Sequence, residues 1–162
     1  MRKGLELPPV ALPSSHGGTV DPGRLAGRAL LILYPWTGRP GTPNPLDWDD
    51  IPGAHGSTPE LEGFRDLHAR FADIGISLFA VSRQDTAWQQ ELAERLGLPF
   101  PILSDADDRL WPKLEAETFE TGGEIYLKRT TLLISDGHVE EAFADISDPG
   151  GHAAELLTRL AG

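Results

Sequence analysis

Apolar positions along the chain follow two periods. Ala29-Leu30-Leu31-Ile32-Leu33-Tyr34 is an unbroken apolar run closed by Pro35, the pattern of a strand covered on both faces. From Ser57 the period lengthens. Leu61, Phe64, Leu67, Phe71 and Ile74 form one stripe of an amphipathic helix, which Gly75 stops. Ile76 to Val81 is a second buried strand. Asp85 is placed to cap a helix in which Trp88, Leu92 and Leu96 share a face and which Gly97 ends. Pro99 to Leu103 reads as a short third strand, and Ser104 to Glu115 contains a short helix entered through Ser-Asp-Ala-Asp. Ile125 to Ser135 reads as one long strand. Asp136-Gly137 is its turn, and His138 to Phe143 its antiparallel partner. A last helix is expected from about Asp148 to Leu160, with Ala153, Leu156, Leu157 and Leu160 inward.

The resulting order, βαβαβαββα, predicts an α/β sandwich with a mixed central sheet and helices on both faces, the order of the thioredoxin-like fold. Ala29–Tyr34, Ile76–Val81 and Leu127–Ile134 are expected to be neighbours in that sheet, with the helix from about Thr58 to Asp73 packed on it. Residues 1–28 read as an irregular lead-in holding one short strand or hairpin. Residues 36–56 carry Pro40, Pro43, Pro45 and Pro52 among glycines, which disfavours helix and interior strand. Loops this long in a compact domain are usually functional, and Trp36 and Trp48 require it to pack on something. No repeat is visible, and a single domain over residues 1–162 is expected.

Composition narrows the function. The chain has 162 residues, 40% of them hydrophobic and 24% charged, which suits a globular core. Its formal net charge of −11 argues against nucleic-acid partners, which need a basic patch, and against anionic membrane surfaces. The longest apolar run is too short to span a bilayer, the N-terminus lacks a signal-peptide core, and a cytoplasmic location is expected. Cysteine is absent, so disulfides, thiolate metal sites and thiol catalysis are excluded for the chain as written. Neither a cofactor nor a metal is expected; Asp47, Asp49, Asp50 and His55 read as a solvated acidic loop.

In open α/β sheets, ligands sit beyond the carboxyl ends of the strands. The first buried strand ends at Tyr34-Pro35, and the helix starting at Ser57 offers unsatisfied N–H groups and a positive dipole end. The candidate site is therefore Pro35 to Glu60. Ser57-Thr58-Pro59-Glu60 also fits a capping box, with Ser57 capping the helix and Glu60 reaching back. His55 two residues from Ser57 invites a serine-hydrolase reading, but there is no Gly-x-Ser-x-Gly elbow and no third member. Arg129 has an ordinary alternative, pairing with Glu124 or Asp145, and His68 one of packing beside Phe64 and Phe71.

Tyr34-Pro35, Gly56-Ser57-Thr58-Pro59-Glu60 and Gly63-Phe64-Arg65-Asp66 together resemble the active-site segment of peroxiredoxins, the alkyl hydroperoxide reductase and thiol-specific antioxidant proteins. The similarity is greatest to the bacterioferritin-comigratory type. Gln84-Asp85-Thr86, Leu98 to Asp105 and Lys128-Arg129-Thr130-Thr131-Leu132 extend it over roughly residues 25–145. The resemblance implies a thioredoxin-like fold and reduction of hydrogen peroxide or organic hydroperoxides at the expense of an external thiol. It puts Ser57 at the peroxidatic cysteine, Pro35 in the proline role, and Arg129 as the arginine that lowers the cysteine pKa and orients peroxide. The peroxide-bonding threonine is not cleanly placed. Its usual position holds Ala54, and Thr37 is a better candidate than Thr42. The resolving-cysteine position holds Glu62, so an active parent would be of the one-cysteine kind. The departure at Ser57 governs the chemistry. A hydroxyl has no thiolate and no sulfenic acid, so the chain as written is expected to be peroxidase-inactive; the alternative is a non-catalytic thioredoxin-fold binding or sensing module. Two loop tryptophans able to anchor an interface favour a homodimer.

Overall fold

The computed structural model describes residues 3–162. The apolar run forms β3 (Arg28–Leu33). It pairs in parallel with β4 (Ile76–Ser82) and antiparallel with β8 (Thr130–Ser135), so that Leu31 faces Phe79 on one side and Leu132 on the other. β4 also pairs in parallel with β5 (Ile102–Ser104), and β8 antiparallel with β9 (His138–Phe143). The central sheet is thus mixed and five-stranded, in the order β5-β4-β3-β8-β9. A two-stranded hairpin in the lead-in joins β1 (Leu12–Pro13) to β2 (Thr19–Val20).

The alternation of side chains along β3 builds two cores. Leu30, Ile32 and Tyr34 face α1 (Ser57–Asp73), α2 (Thr86–Leu96) and α3 (Pro149–Ala161), packing with Leu61, Phe64, Phe71, Leu92 and Leu156. Ala29, Leu31 and Leu33 face the other way, against Leu7, Val10, Leu12, Leu110, Leu114 and Leu127. Helical cover is therefore unequal: three α-helices on one face, and on the other the lead-in with the 3-10 turn Trp111–Leu114. The expected helix ends are where the local chemistry puts them. The Asp85 carboxylate accepts the Trp88 N–H at 2.7 Å. Asp148 accepts that of Gly151 at 3.2 Å. Gly75 and Gly97 close α1 and α2 in the left-handed region, with φ of 78° and 64°.

Two expectations are corrected. The segment Ile125–Ser135 is not one strand. β7 (Glu124–Leu127) pairs with β6 (Thr118–Thr121) in a separate hairpin turned by Gly122-Gly123, and the central sheet resumes only at Thr130. Leu127 therefore lies outside the five-stranded sheet, although its side chain joins the second core. The break falls at Lys128-Arg129. The Lys128 N–H donates to the Glu117 carbonyl at 2.9 Å, and the Arg129 side chain is drawn into the interior. The helix expected within Ser104–Glu115 is reduced to the 3-10 turn, because the buried Asp105 carboxylate takes the N–H groups of Arg109, Leu110 and Trp111 and fixes a loop there. No helix among the described residues is long and apolar enough to cross a membrane.

Candidate active site

The helix start places Ser57. Gly56 precedes it with φ 108°, and a Cβ there would sit 2.7 Å from Pro149 Cγ at the start of α3. Only glycine satisfies both the backbone angle and this contact between the first turns of α1 and α3. Ser57 is consequently the first helical residue rather than the cap, 3% exposed, and its hydroxyl Oγ has no partner among the described residues. The capping box does not form: Glu60 turns away to Arg129 instead.

Arg129 fastens the site from behind. One of its terminal nitrogens donates to Glu60 Oε1 at 3.0 Å. The other donates to the carbonyls of Gly53, Ala54 and His55 at 3.2, 3.3 and 3.0 Å. The loop that leads into Ser57 is thus tied to the first turn of α1. The ordinary pairing with Glu124 or Asp145 does not occur; Lys128 takes Asp145, at 3.8 Å, and Glu117. Glu60 is fully buried, with Oε2 unpartnered among the described residues, and burial pushes its carboxyl up to about 7 against the pull of Arg129. Burial also raises the Tyr34 phenol above its ordinary range. His152 of α3 bonds Thr131 Oγ1 through Nε2 at 2.9 Å; burial, then the charge of Arg129, push it down to about 4.

Ser57 and Thr37 share one cleft of about 490 Å³, which Trp36, Asn44, Trp48, Ala54, His55 and Thr58 also line. Thr37 is the residue expected of the two threonines; Thr42 is exposed and outside the cleft. The Thr37 hydroxyl and its backbone N–H both donate to Gln84 Oε1 at 3.1 Å. Its carbonyl accepts from Gln84 Nε2 and from the Trp88 indole at 3.0 and 2.9 Å. Pro35 is buried and does not line the cleft. Trp36 packs on Trp48 and Trp88, and Trp48 on Phe119 and Tyr126, with centroids 5.0 to 5.9 Å apart. The loop tryptophans therefore pack within the chain.

The family model described as AhpC/TSA matches residues 51–142. The chain belongs to the AhpC/TSA family. A Coxiella burnetii protein bearing the provisional name peroxiredoxin bcp is 28% identical over 97% of this chain and 97% of its own length. The crystal structure of peroxidoxin BcpB from Mycobacterium tuberculosis superimposes with a TM-score of 0.78 at 25% identity, covering 99% of this chain and 97% of the other. A cysteine-to-serine mutant of Xylella fastidiosa PrxQ has the same fold, with a TM-score of 0.79 at 24% identity and 99% and 96% coverage. The thioredoxin-like architecture is thus that of a peroxiredoxin of the bacterioferritin-comigratory type.

Other candidates in this AhpC/TSA chain separate. His55 Nε2 pairs with Asp49 at the surface rather than with Ser57, so His55 and Ser57 form no couple. His68 lies against Phe100, 6.2 Å between centroids, one helical turn from Phe64 and Phe71 on α1; the ring edge-on to Phe64 is His152. Glu62 is partly exposed near Arg65. Sequence reasoning gives Gln84, Trp88 and His152 no role in the site. Gln84 was visible in the Gln84-Asp85-Thr86 match, but its bond to Thr37 spans 47 positions.

Proposed function

We propose that the chain keeps the pocket of a peroxiredoxin and lacks its chemistry. Ser57 stands where the family cysteine attacks, Thr37 and Pro35 shape the preceding turn, and Arg129 supplies the cation behind it. The single observation that carries this is the buried, unpartnered Ser57 Oγ at the head of α1, in a cleft shared with Thr37 and in a chain without cysteine. Peroxide reduction requires a thiolate to attack the O–O bond, leaving sulfenic acid and water or alcohol. Ser57 offers no such step. The molecule then serves as a non-catalytic binding module on a single 1–162 domain. A cysteine codon at position 57 in the native gene would make the parent an enzyme using small hydroperoxides and an external thiol; a serine codon favours the module.

The test is consumption of hydrogen peroxide and of an organic hydroperoxide with added dithiol. The Cys-free chain is expected to show no turnover and Ser57→Cys to show it. Multiple turnover by the Cys-free chain would overturn the proposal.

A further inference from the structure

The buried charges behind the cleft suggest what it holds, resting on the reading of Ser57 as a binding site. Ser57 and Glu60 are three residues apart and so lie on one face of α1. Both are buried, and each keeps an unpartnered oxygen, Ser57 Oγ and Glu60 Oε2. Arg129 meets Glu60 and three backbone carbonyls. The carbonyls carry no net charge, so among the described residues Glu60 alone pairs as an anion with this guanidinium. Whenever Glu60 holds a proton, an uncompensated cation stands behind residues 53–55, two of which, Ala54 and His55, line the cleft. The first-turn N–H groups of α1 add positive potential at the same place. Opposite them, Trp36 and Trp48 provide an apolar wall.

We infer that the Ser57 cleft takes a small monocarboxylate with an apolar end, and that Glu60 takes up a proton as the anion binds. The carboxylate accepts from the Ser57 hydroxyl and the head of α1, and the apolar end lies on the tryptophans. A single charge is favoured over two, because Asp47, Asp49 and Asp50 flank Trp48 on the same loop. Four other charged or titratable groups bear on Glu60 or the cleft. Arg129 stays charged throughout. Tyr34, at the end of β3, is held neutral by burial. His152, from α3, is neutral above about pH 5, its value lying near 4. His55, paired with Asp49 on the cleft's rim, is the competitor that an experiment must remove. Glu60, near 7, is poised to exchange its proton across neutrality.

Phenylacetate, ionised throughout from pH 6 to 9, is the probe, followed by tryptophan fluorescence and by calorimetry in two buffers of different ionisation enthalpy. If the bound anion raises the Glu60 pKa by about one unit, binding at pH 6 is about eightfold tighter than at pH 9, with fractional proton uptake near pH 7.5. Glu60→Gln is expected to flatten the dependence, and His55→Gln to leave it. Neutral phenylacetamide should bind without pH dependence. A carboxyl ¹³C signal of Glu60 moving toward the protonated position on titration supports the same linkage without any variant. Absence of phenylacetate binding, or an undiminished pH dependence in Glu60→Gln, overturns the inference. A chain that binds no phenylacetate and turns over no peroxide leaves the proposed loss of chemistry standing; one that turns over peroxide removes the reading beneath.

Discussion

Glu60→Gln isolates the cost of the buried carboxylate. In the folded chain Glu60 is fully buried and its pKa stands at about 7, against an ordinary 4.5, chiefly through burial. The folded state therefore holds the proton more tightly than the unfolded state does. Below about pH 4.5 both states are protonated and there is no penalty. As pH rises toward 7 the unfolded chain ionises first, and stability is lost. The full difference amounts to about 3 kcal/mol. Glutamine keeps an acceptor for Arg129 and has no proton to lose. The stability of Glu60→Gln relative to the parent should accordingly rise by about 3 kcal/mol between pH 4.5 and 8, measured by urea unfolding at both values. A difference that is constant with pH, or that falls, would mean that attraction to Arg129 outweighs burial and that Glu60 stays ionised; the reasoning would then be refuted.

Gly56→Ala combines a left-handed φ of 108° with a Cβ 2.7 Å from Pro149 Cγ, and should cost about 1–3 kcal/mol in thermal or urea unfolding. Gly97→Ala, where nothing lies within 4 Å of the added carbon, should cost less, and equal losses would contradict the packing argument. Asp105→Ala removes the acceptor of three loop N–H groups and should cost about 2–4 kcal/mol, with no effect at the Ser57 cleft.

What the sequence made legible was mostly local. The strands β3 and β4 announce themselves as continuous apolar runs, and Asp85, Asp148, Gly75 and Gly97 mark helix ends because caps act over a few residues. Gly122-Gly123 between two alternating segments is an equally local hairpin signal, but the apolar residues from Ile125 to Ser135 merge into what reads as one run. Ser57 is reached by resemblance, and the structure puts it at the head of a helix. The partners were not legible. Glu60 and Arg129 meet across 69 positions, so Glu60 read locally as half of a capping box. His152 meets Thr131 only because α3 packs over the sheet beside α1. Which charges share the interior is decided by tertiary packing, and one-dimensional spacing does not encode it.

The central claim is that position 57 is a thiolate site lacking only its sulfur. The direct measurement is the alkylation rate of the lone thiol in Ser57→Cys as a function of pH, repeated with Arg129→Leu added. The helix head and the Arg129 cation favour the anion. The account predicts a thiol pKa below the free value of about 8.5 in the single variant, and a higher one in the double variant. A thiol that titrates like free cysteine, or is indifferent to Arg129→Leu, would contradict it.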